Sequence, residues 1–194
     1  AEPIVAPPVC AALAKAALCA PPAPTLGPIA VETAALFEAA APDMPSARDW
    51  ANVMAQAHRL AMADARRYLG DPHVFPDLTP DLIAPEQIAR RVRSISLERD
   101  RGLPGAGRLR GAPSGLVSAP PVRRRPPTAS VVVVDGRGDA VALSLTLTQP
   151  YGSGLAARGV VLNAANDAFD PPVDAVGRMR ANEIRPNARP RLDL

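Results

Sequence analysis

The stretch TASVVVVDGRGDAVALSLTLTQPYGSG, residues 128–154, decides how the whole chain is read. Three arginines and two prolines, Arg123 to Pro127, stop abruptly in front of it. Ser130–Val134 then reads as a short buried strand, because it is apolar, β-branched and bounded by turn residues. Asp135-Gly136-Arg137-Gly138-Asp139 reads as a turn, since glycine reaches positive φ without steric cost. Residues 140–148 return as a second strand. In it Val141, Leu143, Leu145 and Leu147 alternate with Ala142, Ser144, Thr146 and Thr148, so Thr146 and Thr148 should share a face. Tyr151–Gly154 is a loop and Gly159–Leu162 a third strand. Arg137-Gly138-Asp139 spells an integrin-binding tripeptide, but its place inside the turn makes the match coincidental. Thr128 itself has two readings: an ordinary strand start, or a nucleophile exposed by a cut before it.

Upstream of the hairpin, residues 100–127 are rich in glycine, proline and arginine, have no period, and read as a flexible linker. Three helices precede it. The last spans about 85–97, opened by Asp81 and Pro85, with Ile88, Val92 and Ile95 inward. The middle one spans 47–69. Ser46 is its N-cap, with Asp49 completing a capping-box-like pair. Trp50, Val53, Met54, Ala57, Leu60, Ala61 and Tyr68 form its apolar stripe, and Gly70-Asp71-Pro72 ends it. The first spans 29–40, on Ile29, Thr33, Leu36 and Phe37. His58 on the middle helix reads as a solvated side chain, with no catalytic role. Residues 1–28 read as an extended strand or two with turns, and the tail from Asp170 is again proline-rich.

Composition bounds the function classes. Apolar residues make up 47% of the chain but aromatics only 3%, so the core depends on Leu, Val and Ile in a few segments. The 24 prolines cluster and predict long irregular stretches. The net charge of +3 is modest, and Lys15 is the only lysine among 22 basic residues. This lacks the dense basic face interleaved with aromatics of a nucleic-acid binder. No apolar run reaches the roughly 18 residues of a membrane span. Cys10 and Cys19 match no zinc spacing; they read as small apolar fillers, with a disulfide as the alternative. Residues 11–20 resemble a signal-peptide core but lack its flanks, and the start at Ala1-Glu2 predicts a processed product or a fragment.

Five segments then carry a resemblance, in order along the chain. They are Glu2-Pro3-Ile4 with PPAPTLGPIAV (21–31), AHRLAMADARRYLGDPHVFPD (57–77), the stretch 128–154, GVVLNAANDAF (159–169) and RPNARP (185–190). Together they resemble the gamma-glutamyltransferase (gamma-glutamyl transpeptidase) family of N-terminal-nucleophile hydrolases. The resemblance implies an α+β fold, part of a four-layer αββα sandwich. Residues 1–99 would end a large-subunit-like helical part, 100–127 would be the linker, and 128–194 would begin a small-subunit-like β part. It implies self-cleavage between Pro127 and Thr128, and two subunits from one precursor. The freed Thr128 would act as nucleophile, its hydroxyl attacking and its own α-amine taking the proton. Thr146 matches a second threonine that orients the nucleophile. Thr148 stands where the family usually has an asparagine holding the substrate carboxylate. Asp167, a substrate-binding candidate, matches the first of the family's two aspartates, while the second is the one that binds the substrate α-amino group. The implied substrate is a γ-glutamyl small molecule such as glutathione, with no cofactor, no metal, no nucleic acid and no membrane span. Bacterial family members are often periplasmic or extracellular.

The chain also departs from the family. Thr-Thr-His becomes Thr128-Ala129-Ser130. Ala165 and Ala168 replace residues that clasp the substrate α-amino group, each charge-assisted bond being worth about 1.5–3 kcal/mol. The Ser-Ser pair and the Gly-Gly oxyanion hole of the family do not follow within this sequence, so the chain reads as the middle of a larger enzyme with impaired activity by itself. Two further readings stand beside the first. One is an acylase of the cephalosporin or glutaryl type, whose substrates lack an α-amino group; the other is a non-catalytic relic of the family.

Overall fold

A computed structural model describes residues 4–40, 46–99, 101–121 and 128–191. The described elements begin with a hairpin, β1 (Val9–Leu13) and β2 (Ala16–Ala20), followed by helices α1 (Gly27–Ala40) and α2 (Ala47–Tyr68). Two short helices come next, α3 (Thr79–Leu82) and α4 (Pro85–Arg91), the latter continued by a 3-10 turn over Val92–Ser94. A second hairpin pairs β3 (Thr128–Val134) with β4 (Ala140–Thr146), and a minimal third pairs β5 (Ala156–Ala157) with β6 (Val160–Val161). A 3-10 turn over Ala165–Ala168 precedes an irregular tail.

Helix α2 organises the core. Its start is fixed as the sequence predicts: the Ser46 hydroxyl accepts from the Asp49 N–H at 3.2 Å and donates to the Asp49 carboxylate at 2.5 Å. Val53, Ala57, Leu60, Ala61 and Tyr68 of the predicted stripe are buried. Trp50 stays half exposed and lies edge-on to Phe37 of α1, with centroids 5.4 Å apart. Three apolar clusters meet along this helix. Ala61, Ala65 and Leu69 pack on Ala23 and Ile29; Ala57 and Leu60 pack on Leu36 and Ile88; Tyr68 packs with Phe75, Leu82, Leu116 and Ala181.

Several boundaries differ from the sequence reading. The third helix is shorter than 85–97. Its last part is captured by α2: the Gln56 side chain donates to the Ser96 carbonyl at 2.7 Å and accepts the Ser96 N–H at 3.0 Å, which holds Ile95 extended. The expected strand 130–134 begins at Thr128, and the expected strand 140–148 stops at Thr146. The strand predicted as buried is exposed along its whole length, and so is nearly all of β4. Cys10 and Cys19 are joined as a disulfide, so the alternative reading holds and the filler reading does not.

The stretch 100–127 has no regular structure where it is described, yet it is not loose there. Gly107 N–H donates to Asp64 at 2.5 Å, the Tyr68 hydroxyl donates to the Gly107 carbonyl, and Ala119 N–H donates to the Arg66 carbonyl at 2.8 Å. Leu116 and Ala119 are buried. The absence of a hydrophobic period hid these contacts, because they are made by the backbone and by isolated side chains. Arg123, Arg124, Arg125, Pro126 and Pro127 lie outside the described residues.

Candidate active site

The polar face of the β3–β4 hairpin follows from its register. Thr128 lies opposite Thr146, and Ser130 opposite Ser144. Residues directly opposite on antiparallel strands project to the same side, with Cβ atoms roughly 4.5–5.5 Å apart. Thr128, Ser130, Ser144 and Thr146 therefore form one polar patch, and the two serine hydroxyls are 2.9 Å apart. The other face carries Val131, Val133, Val141, Leu143 and Leu145. The turn joining the strands is tied by Asp135, whose carboxylate accepts from the Arg137 and Asp139 N–H groups at 2.8 and 3.0 Å. Gly138 takes the positive φ of 89° there.

Thr148 lies beyond the strand, and simple alternation does not describe it. Its φ is 67°, in the left-handed region that β-branched residues avoid. The turn directs its N–H back to the Thr146 hydroxyl oxygen at 2.9 Å. That bond constrains the Thr146 side chain. The Thr148 hydroxyl oxygen is buried with no hydrogen-bond partner among the described residues.

Asp167 reaches the same region through two ties. The Ala164 N–H donates to the Leu147 carbonyl at 3.0 Å, which lays the turn over Ala165–Ala168 beside the end of β4. The exposed Asp167 carboxylate then accepts from the Gln149 side-chain amide. Ala165 and Ala168 present only methyl groups on this turn. The fold thus brings Thr128, Thr146, Thr148 and Asp167 into one connected region, while Pro127 lies outside the described residues.

Gln149 escaped the sequence reading, although it directly follows Thr148 in the quoted stretch. So did the groups that hold the turn. Asn182 donates to the Ala168 carbonyl at 2.8 Å, and its side-chain oxygen accepts the Arg191 N–H at 2.6 Å. The Arg191 guanidinium donates to Asp170 at 3.1 Å and to the carbonyls of Ala65 and Leu69, each at 3.3 Å. It thereby connects the end of α2 to the turn. Burial raises the Asp170 carboxyl above its ordinary range, with Arg191 opposing. These partners are separated by up to 126 positions in sequence, so no local pattern could reveal them. Among the described residues, no group of three or more His, Cys, Asp or Glu side chains could hold a metal ion.

A family model described as gamma-glutamyltranspeptidase matches residues 2–193. A glutathione hydrolase proenzyme of Bacillus subtilis (strain 168) is 29% identical over 152 residues, covering 74% of this chain and 25% of that protein. One of Escherichia coli (strain K12) is 29% identical over 149 residues, covering 73% and 24%. The chain thus spans about a quarter of the length of the curated relatives it matches. The crystal structure of a cephalosporin acylase from Bacillus halodurans matches with a TM-score of 0.68 at 18% identity, over 97% of this chain and 31% of that one. This likeness shows the fold alone: the chain, whose described helices and small antiparallel sheets make it α+β, shares the fold of part of that structure.

Proposed function

The chain belongs to the gamma-glutamyltranspeptidase family, and from that premise we propose that it is the central part of a self-processing enzyme that transfers γ-glutamyl groups. The donors are of the glutathione type, and the acceptors are water or an amino acid. Residues 1–99 end its large subunit, 100–127 are the linker that leads to the cut, and 128–194 begin its small subunit. The observation that carries this reading is the position of Thr128, at the first residue of β3 and directly opposite Thr146.

In this reading the Thr128 hydroxyl attacks the carbonyl of Pro127. The peptide bond becomes an ester, and water then cleaves that ester to leave Thr128 with a free α-amine. During turnover the hydroxyl attacks the γ-glutamyl carbonyl and the amine accepts its proton. Thr146, fixed by the Thr148 N–H, donates to the Thr128 oxygen and orients it. Thr148 and Asp167 lie on the substrate side. With Ala165 and Ala168 in place, α-amino recognition rests on Asp167, which raises KM for γ-glutamyl donors.

Intact mass followed over time tests the processing step. Cleavage between Pro127 and Thr128 is expected in the parent chain and should be lost in Thr128→Ala. An uncleaved parent, indistinguishable from Thr128→Ala, would overturn the proposal. One observation favours a second reading. The methyl groups of Ala165 and Ala168 suit an acyl substrate without an α-amino group, as in cephalosporin or glutaryl acylases. Within the full-length enzyme, γ-glutamyl- and glutaryl-nitroanilide separate the two, and hydrolysis of the glutaryl compound alone would establish the second.

A further inference from the structure

The hairpin β1–β2 is one-sided. Half-buried Val9, Ala11, Leu13, Leu18 and Ala20 alternate with exposed Cys10, Ala12, Ala17 and Cys19. The inner side lies toward α1, where Glu38 accepts the Ala14 N–H at 2.6 Å. Cys10 and Cys19 are directly opposite in the register and joined as a disulfide. Their bond therefore sits on the solvent side of the ribbon, away from the apolar contacts that hold the hairpin down. Breaking it opens no cavity and strands no buried polar group. Exposed disulfides are the labile and regulatory ones, whereas structural bridges are shielded from thiols.

The two sulfurs are not equivalent. A groove of about 530 Å³ lies against Cys19 and not Cys10. Its walls include Ile4, Pro8, Pro21, Pro24 and Arg189. Asp71 takes the Nε and Nη2 of Arg189, while Nη1 has no hydrogen-bond partner among the described residues. A mostly apolar trough with an arginine in its wall suits a short peptide thiol carrying a carboxylate.

We propose that Cys10–Cys19 is a thiol-exchange site, at which a small peptide thiol seated in this groove attacks Cys19 and forms a mixed disulfide. The incoming thiolate bonds to the Cys19 sulfur. The Cys10–Cys19 bond breaks, and its electron pair leaves on Cys10 as a thiolate. A second thiolate of the same kind then attacks the sulfur of the bound thiol. This releases the small-molecule disulfide and leaves two cysteine thiols, so the protein pair gains the two electrons that the two small thiols lose. The inference goes beyond the acyl-transfer reading and shares no residue with its catalytic region, so each can fail without the other.

Glutathione is the probe. The full chain, purified without reductant, should take up no maleimide. After excess reduced glutathione under native conditions it should take up two, with an unchanged circular dichroism spectrum. Cys10→Ser removes the resolving thiol, and glutathione disulfide should then add one glutathione to Cys19. That addition should run about tenfold faster than addition to Cys10 in Cys19→Ser, reflecting the access of glutathione to the Cys19 thiol. Free thiols in the unreduced chain, a disulfide that yields only in urea, or equal rates at the two cysteines would each overturn the proposal.

Discussion

Thr148 joins two observations that neither sequence nor backbone supplies separately. The family resemblance places an asparagine at this position, and the structure gives it a φ of 67°. Asparagine tolerates left-handed backbone because its short polar side chain bonds locally, while threonine is strained there by its branched Cβ. Such strain costs on the order of 1–3 kcal/mol, so Thr148→Asn should recover about 1 kcal/mol of it, read as a higher urea midpoint. In the full-length enzyme the same change should lower KM for γ-glutamyl donors, with kcat little altered. Glu32 makes a second prediction at this scale. It is buried 1% exposed beside Asp64, and burial, then the Asp64 charge, hold its carboxyl well above 4.5, with Arg91 opposing. A carboxyl raised on folding holds its proton more tightly in the folded chain than in the unfolded one. Its contribution is complete below the unfolded pKa and is lost as pH rises through the folded one. Glu32→Gln should therefore raise the urea midpoint at neutral pH, with the gain closing near about pH 4. Asp71 has the opposite sign. Burial would raise it, but the bonds from Arg189 and His73 lower it below 3.8. Its stabilisation is present above the ordinary carboxylate range and is lost as pH falls through the lowered pKa.

Element by element, sequence legibility follows how local the determinants are. Helix α2 was readable almost to the residue, because its cap, its stripe and its end are all local signals. Ser46→Ala should cost about 1 kcal/mol, measured by urea denaturation, through loss of the N-cap bond. Leu60→Ala, in the cluster with Leu36 and Ile88, should cost about 2–5 kcal/mol by the same measurement. The third helix was misjudged at its end because a side chain from another element, Gln56, competes for the Ser96 backbone. The β3–β4 hairpin shows the same division. Alternation correctly sorted its residues into two faces. It could not show that both faces are exposed, nor that the turn after Thr146 sends the Thr148 N–H back toward the strand.

Across the whole molecule, α2 and a set of arginines join parts that are far apart in sequence. The chain exposes 12524 Å², against roughly 8800 Å² for a folded monomer of this mass, and the β3–β4 hairpin is exposed on both faces. Beyond the packing of Met179 and Ala181 on the Tyr68 cluster, what holds the tail is polar. Arg189 donates to Asp71 at 2.6–3.1 Å through its side chain, and its backbone N–H adds a bond at 2.7 Å. The Asp71 side chain is only 1% exposed, so removing one partner leaves a buried charge unpaired. Arg189→Ala should therefore destabilise the chain by about 3 kcal/mol in urea melts, and hydrogen exchange should speed up across 181–191. The sequence alone determined the first two helices, the β3–β4 hairpin, the polar face holding Thr128 and Thr146, and the family resemblance. Each of these is written in neighbouring residues, through period, caps, turn chemistry and motif order. Only the tertiary structure decided that Thr148 takes left-handed backbone, that Gln149 meets Asp167, that Cys10 bonds Cys19 and that Arg189 and Arg191 anchor the tail. These depend on groups brought together by packing around α2, and packing of distant segments leaves no periodic trace along the chain.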